Sequence, residues 1–174
     1  FLFLKLRPNK VYSGFNNGDE GWQVVGDVQN SFAKPEYHNT GGNPGGCLSA
    51  TDETTGGVWY WSAPHKFLGS KKRAFNKKIE FELKQSDLHN QFEAVDIILE
   101  SGDLSLVYSL PKHPDTAWTK FSVVLSADTG WKKNSEKGDS PTDQDFKKVL
   151  SSLSGLKIRG EYITGPDFGY IDNV

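Results

Sequence analysis

Trp59-Tyr60-Trp61-Ser62-Ala63-Pro64-His65-Lys66-Phe67-Leu68-Gly69 is the stretch that decides how this chain folds. In an extended segment successive side chains point to opposite faces, so Trp59 and Trp61 share one side and Tyr60 takes the other. Pro64 then fixes a turn, and Phe67-Leu68-Gly69 supplies a small apolar anchor. Two uses compete for the Trp pair. A sandwich core would bury both rings, each removing roughly 150–250 Å² from water, whereas a sugar platform would keep them exposed for a pyranose face to stack on. Core burial is the favoured use. Trp118 and Trp131 flank a strand near loops, which makes them the better candidates for exposure and ligand binding.

Period-two alternation recurs on either side of that stretch. In Lys78 to Lys84, Ile79, Phe81 and Leu83 face one way and Glu80 and Glu82 the other, the pattern of a half-buried strand. Ala94 to Glu100 is a more continuous apolar run. Ser101-Gly102-Asp103 then turns the chain, and Leu104, Leu106, Tyr108 and Leu110 alternate back, which reads as a hairpin. Phe121, Val123 and Leu125 alternate next, then Leu156, Ile158, Gly160 and Tyr162. The last segment, Gly169-Tyr170-Ile171-Asp172-Asn173-Val174, reads as a strand carrying an acidic-amide pair. Many short strands divided by turn signals predict a sandwich or barrel.

One segment departs from this period. Phe146, Val149, Leu150 and Leu153 recur at i, i+3, i+4 and i+7, which predicts a single short helix over Thr142 to Leu153. Thr142 is placed as its N-cap, Asp145 completes a capping-box-like start, and Gly155 stops it. The helix is expected to cover its own core, with docking into a partner's groove as the alternative. His38 to Gly46 and the polar run Lys132 to Thr142 read as loops. With no repeat and no dividing linker, residues 1–174 are expected to form one domain, residues 1–13 being a leading strand or extension. Phe1 to Leu6 reads as a first strand or the tail of a cut signal segment. It is far shorter than the roughly 20 residues of a spanning helix, so no membrane span is expected.

Composition narrows the function. The 174 residues are enough to bury a sizeable core. Twenty basic against 22 acidic side chains leave no electrostatic footprint for nucleic acid. Met is absent, which predicts a mature product or an excised piece. Cys47 is the only cysteine, so the chain holds no internal disulfide. Its thiol is read as buried, with an intermolecular bridge or a reactive role as the alternative. His38, His65, His89 and His113 are scattered away from metal-ligand spacing, and H-E-x-x-H, G-x-S-x-G and C-x-x-C motifs are missing. The glycine-rich loop lacks the phosphate-cradle pattern. Asp19/Glu20 and Asp52/Glu53 are sequence neighbours, which does not set two carboxylates across a cleft. The chain is therefore not expected to be an enzyme. No Asn-x-Ser/Thr acceptor for N-glycans is present.

Taken in order, six segments resemble the laminin IV type A (laminin B) domain. They are Phe15-Asn16-Asn17-Gly18-Asp19-Glu20-Gly21-Trp22, Gly46-Cys47-Leu48, Trp59 to Gly69, Asp96-Ile97-Ile98-Leu99-Glu100, the helix leading into Leu156-Lys157-Ile158-Arg159, and Gly169 to Val174. The resemblance covers most of the chain, from Gly14 to Val174. It implies an all-β fold, an antiparallel jelly-roll β-sandwich with one short α-helix. It also implies a non-catalytic extracellular structural or adhesion module mediating protein assembly, within a longer secreted or surface protein. Its partners would be other extracellular proteins or copies of the same assembly. The Cys-rich EGF-like segments that flank such domains have no counterpart here.

Galactose-binding-like jelly rolls, to which the family looks related, include many carbohydrate-binding modules, so glycan binding is the alternative function. Such modules often carry a structural Ca²⁺ where the first loop meets the last strand. The resemblance implies Asn17, Asp19, Glu20 and Asp172 as its oxygen ligands, with Asp52 a weaker extra. The competing reading makes Asp19 and Glu20 turn residues and lets Asp172-Asn173 fix a strand end.

Overall fold

The computed structural model describes residues 10–52 and 56–174. The strand expected at Phe1 to Leu6, and Glu53, lie outside the described residues. In chain order the described strands are β1 (Gln23–Gly26), β2 (Glu36–His38), β3 (Cys47–Thr51), β4 (Trp59–Ser62), β5 (Lys78–Gln85), β6 (Ile97–Ser101), β7 (Leu104–Tyr108), β8 (Thr119–Val124), β9 (Lys132–Lys133), β10 (Gly155–Arg159) and β11 (Phe168–Asp172). The helix α1 (Asp143–Ser151) precedes β10.

The strands form two antiparallel sheets, β1-β4-β10-β6-β7-β9 and β2-β3-β11-β5-β8, stacked as a sandwich. Alternation explains the stacking. Phe81 and Leu83 of β5, Phe121 and Val123 of β8, Leu48 of β3 and Ile171 of β11 turn inward from one sheet. Trp59 and Trp61, Ile97 and Leu99, Leu106 and Ile158 do so from the other, and all join one buried core. The expected hairpin is β6–β7, with Leu99 opposite Leu106 and Gly102 in the left-handed conformation, φ 57°, that the tight turn needs.

Helix α1 starts at the reciprocal cap read from the sequence. Thr142 Oγ1 accepts the Asp145 N–H at 3.2 Å, and Asp145 Oδ2 accepts the Thr142 N–H at 2.8 Å. That amide holds the Asp145 carboxyl below its ordinary range. Phe146, Val149 and Leu150 face the core. Thr142→Ala is expected to cost about 1 kcal/mol in urea unfolding, because it removes an acceptor from an orphan helix N–H. A midpoint identical to the wild type would show that the cap adds nothing.

Two segments read as loops contain short pairing. His38 ends β2, opposite Cys47, and Lys132 and Lys133 form β9 against β7. Both strands are made by backbone bonds to a neighbour and carry no hydrophobic period of their own. Cys47 is a buried free thiol, as expected, and burial pushes its pKa up. No described helix is long and apolar enough to cross a membrane.

Candidate functional site

Three places on this frame gather polar or aromatic side chains. The first is the outer face of the second sheet. Tyr170 of β11 lies between Ser49 of β3 and Lys84 of β5 in register, and Trp118 immediately precedes β8 beside them. Trp118 is half-buried and meets Tyr170 edge-on, with centroids 6.5 Å apart. The Lys84 ammonium lies 5.0 Å from the Trp118 ring centre and 4.5 Å from that of Tyr170. Trp118 Nε1 donates to the Gly41 carbonyl at 3.0 Å, which ties the ring to the glycine-rich loop. His38 adds its ring 6.4 Å from Tyr170.

Trp131 does not share that surface. Its expected exposure is corrected by the structure: it is 1% exposed, packed 5.2 Å from Tyr108 and 5.6 Å from Phe146, with Nε1 donating to the Val124 carbonyl. Helix α1 supplies the covering ring, and a loop position in sequence does not reveal that. Trp59 and Trp61 are buried as the alternation implied, edge to face at 5.0 Å.

The second place is the sandwich end where β11 finishes. Buried Asp172 accepts the Asn43 N–H on Oδ2 at 2.6 Å and the Asn173 N–H on Oδ1 at 2.7 Å. Burial raises its pKa, against the pull of those two amides. Asn173 Nδ2 donates to the Asn43 carbonyl at 2.8 Å and also to Glu82. Glu20 accepts the Phe15 N–H at 2.7 Å and the Lys66 ammonium at 2.6 Å, and that ammonium also donates to the Tyr12 carbonyl. Asp19 accepts the Gly21 N–H at 3.0 Å and pairs with Lys34 at 3.5 Å, while Asn17 is exposed. The charge of Glu20 adds to the upward push on Asp172, yet each carboxylate has its own donors. A cationic group, Lys66, already stands among the oxygens of the opening turn.

The third place went unread in the sequence apart from Asp52. One carboxylate oxygen from each of Asp27, Asp52 and Glu161 lies within 4.8 Å of the others. Glu161 Oε2 accepts the Trp59 N–H at 3.2 Å, and Asp27 Oδ2 accepts the Gly57 N–H at 2.9 Å. Burial and then the charge of Asp52 push Glu161 up to about 7. Asp167 is also pushed up to about 7, by burial first and Asp52 second. Among the described residues, Asp27, Asp52 and Glu161 are the ones whose carboxylate oxygens converge closely enough to share one metal ion.

The family model for laminin B (domain IV) matches residues 60–174. The basement membrane proteoglycan of Caenorhabditis elegans is 29% identical over 112 residues, which is 64% of this chain and 3% of that protein. The chain spans no more than 10% of the length of the curated relatives it matches. The L4b domain of human laminin alpha-2 superposes with a TM-score of 0.74 at 13% identity, covering 93% of each chain. The family 11 carbohydrate-binding module of the Clostridium thermocellum cellulosomal cellulase Lic26A-Cel5E gives 0.57 at 19% identity, covering 92% of this chain and 89% of that one. Both likenesses place the fold among jelly-roll sandwiches.

Proposed function

Because the chain belongs to the laminin B (domain IV) family, we propose that it is a non-catalytic extracellular-matrix structural or adhesion module that mediates protein assembly as part of a longer secreted or surface protein. The observation that carries this reading is the family match over residues 60–174, which takes in the sandwich from β4 to β11. Its partners would be other matrix proteins or copies of the same assembly. They would meet the sandwich ends or an open strand edge. The outer edge of β8 is one such edge, guarded by the exposed Lys120. Size-exclusion chromatography and crosslinking on the parent protein test the proposal. Crosslinks from this module to another macromolecule are expected, and a strictly monomeric parent that touches none would sink it.

Glycan binding is a second reading, and the Trp118–Tyr170–Lys84 group supports it. Two rings of different orientation and an ammonium on a sheet face offer apolar contact to a sugar ring and a donor to its oxygens. If a glycan array shows binding, Trp118→Ala should weaken it about tenfold or more, equivalent to about 1.4 kcal/mol. Trp131→Ala should instead lower the melting temperature, since that ring fills the core. Binding unchanged in Trp118→Ala would remove this face from consideration.

A further inference from the structure

We propose that Asp27, Asp52 and Glu161, together with Asp167, form a divalent-cation site selective for Ca²⁺ at the end of the sandwich where β11 begins. The strand register builds it. Gly26 is the last residue of β1, opposite Trp59, and the next residue, Asp27, donates its N–H to the Val58 carbonyl at 3.2 Å. On the other side of β4, Arg159 of β10 pairs with Tyr60, and Glu161 reaches the Trp59 N–H at 3.2 Å. Asp27 and Glu161 therefore flank the start of one strand. In the second sheet Phe168 pairs with Thr51, so Asp167 and Asp52 are the next residues outward on adjacent strands. Thr51 Oγ1 donates to the Asp167 carbonyl at 2.7 Å and fixes that juncture. Three chain segments from both sheets thus bring the carboxylates of Asp27, Asp52 and Glu161 to one place, and Asp167 stands next to Asp52 across the β3–β11 pairing.

The dimensions suit a calcium ion. Ligand oxygens at about 2.3–2.6 Å from Ca²⁺ lie at most about 5 Å apart across it, and the three oxygens here fall within 4.8 Å of one another. Mg²⁺ dehydrates reluctantly and is usually held by one or two carboxylates with several waters, whereas Ca²⁺ accepts a larger set of carboxylate oxygens such as this one. Transition metals favour nitrogen or sulfur donors, and the set offers neither.

Asp167 supplies a separate reason to place a cation here. It is only 4% exposed, and among the described residues neither of its carboxylate oxygens has a hydrogen-bond partner. Among the described residues, no Lys, Arg or His forms an ion pair with Asp167 or Glu161. A buried carboxylate without donor or countercharge is costly. A dication beside Asp52 and Glu161 supplies the missing countercharge. It also ties the segments after β1 and β3 to the β10–β11 connection. The site stands at the opposite end of β11 from Asp172.

Calorimetric titration of CaCl₂ into EDTA-stripped, dialysed protein tests this, alongside Tb³⁺ luminescence sensitised by the Trp59 indole. One Ca²⁺ per chain is expected, with a rise in melting temperature. Asp27→Asn and Glu161→Gln should each weaken binding tenfold or more, and Asp172→Asn should leave it unchanged. Both amide variants keep shape and remove charge, so in EDTA they should melt at or above the wild type while losing the response to Ca²⁺. That signature separates a ligand role from a merely structural one. No Ca²⁺ binding at millimolar concentration would overturn the site. So would wild-type affinity in the Asp27→Asn/Glu161→Gln double variant. Loss confined to Asp172→Asn would overturn it too, and would assign the cation to the Asn17, Asp19, Glu20 and Asp172 end.

Discussion

Arg159→Met is expected to destabilise the domain by about 3–5 kcal/mol, the range for breaking a buried ion pair from one side. Arg159 is fully buried where β10 ends. Its Nε donates to the Glu161 carbonyl at 2.6 Å, Nη2 to Phe92 at 2.6 Å and Nη1 to Ala94 at 3.3 Å. Nη1 also stands 3.5 Å from Asp96, and the guanidinium lies 4.2 Å from the Tyr162 ring centre and 4.7 Å from that of Phe92. Met fills similar volume but leaves three carbonyls without donors and Asp96 without its countercharge. Among the described residues, the hydrogen-bond donors left to Asp96 would be the Leu110 N–H and the Tyr162 hydroxyl.

The pH dependence follows from Asp96. Burial already holds its folded pKa above the ordinary carboxylate value, against the pull of Leu110, Tyr162 and Arg159. A raised folded pKa means that ionisation costs stability as pH climbs past the unfolded value. Without Arg159 that cost grows, so the variant should lose stability more steeply than the wild type on going from acid to neutral pH. At about 2–4 °C per kcal/mol for a domain of this size, the melting temperature should fall by about 6–20 °C. Asp96→Asn in the same chain should recover part of the loss. A loss under 1 kcal/mol, or strict additivity in the double-mutant cycle, would show that the pair is not coupled.

The sequence revealed those elements whose own side chains carry a period. β5, β7 and β8 alternate over five to eight residues, and α1 repeats its apolar face behind a reciprocal cap. β1, β2 and β9 are two to four residues long and are held by backbone bonds to partner strands, β1 and β9 to ones far away in the chain and β2 to β3 across the glycine-rich loop. No local pattern announces such strands. The same distinction governs the sites. Trp59 and Trp61 could be placed by alternation alone, whereas the burial of Trp131 depends on Phe146 arriving from a helix. Asp172 was legible as a residue that fixes a strand end, but its partner Asn43 was not, because the glycine-rich loop carries no register of its own. Asp27, Asp52 and Glu161 stand just beyond strand ends, where a lone acidic residue reads as an ordinary turn position. Only the pairing of β1, β4, β10 and β3 with their neighbours reveals that they converge.

Gly160→Ala is expected to cost about 3 kcal/mol, the upper end of ordinary overpacking. The reason is space, not backbone conformation. A Cβ at position 160 would lie 1.8 Å from Trp59 Cζ3 and 2.3 Å from Cε3 and Cη2. A Cβ at Gly169 would lie 2.9 Å from the same indole and 2.5 Å from the Gly160 carbonyl. Gly160, just past the end of β10, and Gly169 of β11 in the facing sheet thus form the slot that admits Trp59. The ring cannot withdraw easily, because Trp61 stands edge-on at 5.0 Å and the Gly160 N–H donates to the Trp59 carbonyl at 3.1 Å. Among the described residues Trp59 Nε1 has no hydrogen-bond partner, so the indole is held by shape rather than by a polar anchor. A smaller ring should therefore relieve the clash. Trp59→Phe alone should open a cavity and destabilise, yet Trp59→Phe/Gly160→Ala should be less destabilised than the sum of the two single changes. Urea midpoints and near-ultraviolet circular dichroism of the four proteins measure this coupling. Wild-type stability in Gly160→Ala, with an additive double mutant, would mean that the Trp59 ring has another place to go and that the slot does not define the core.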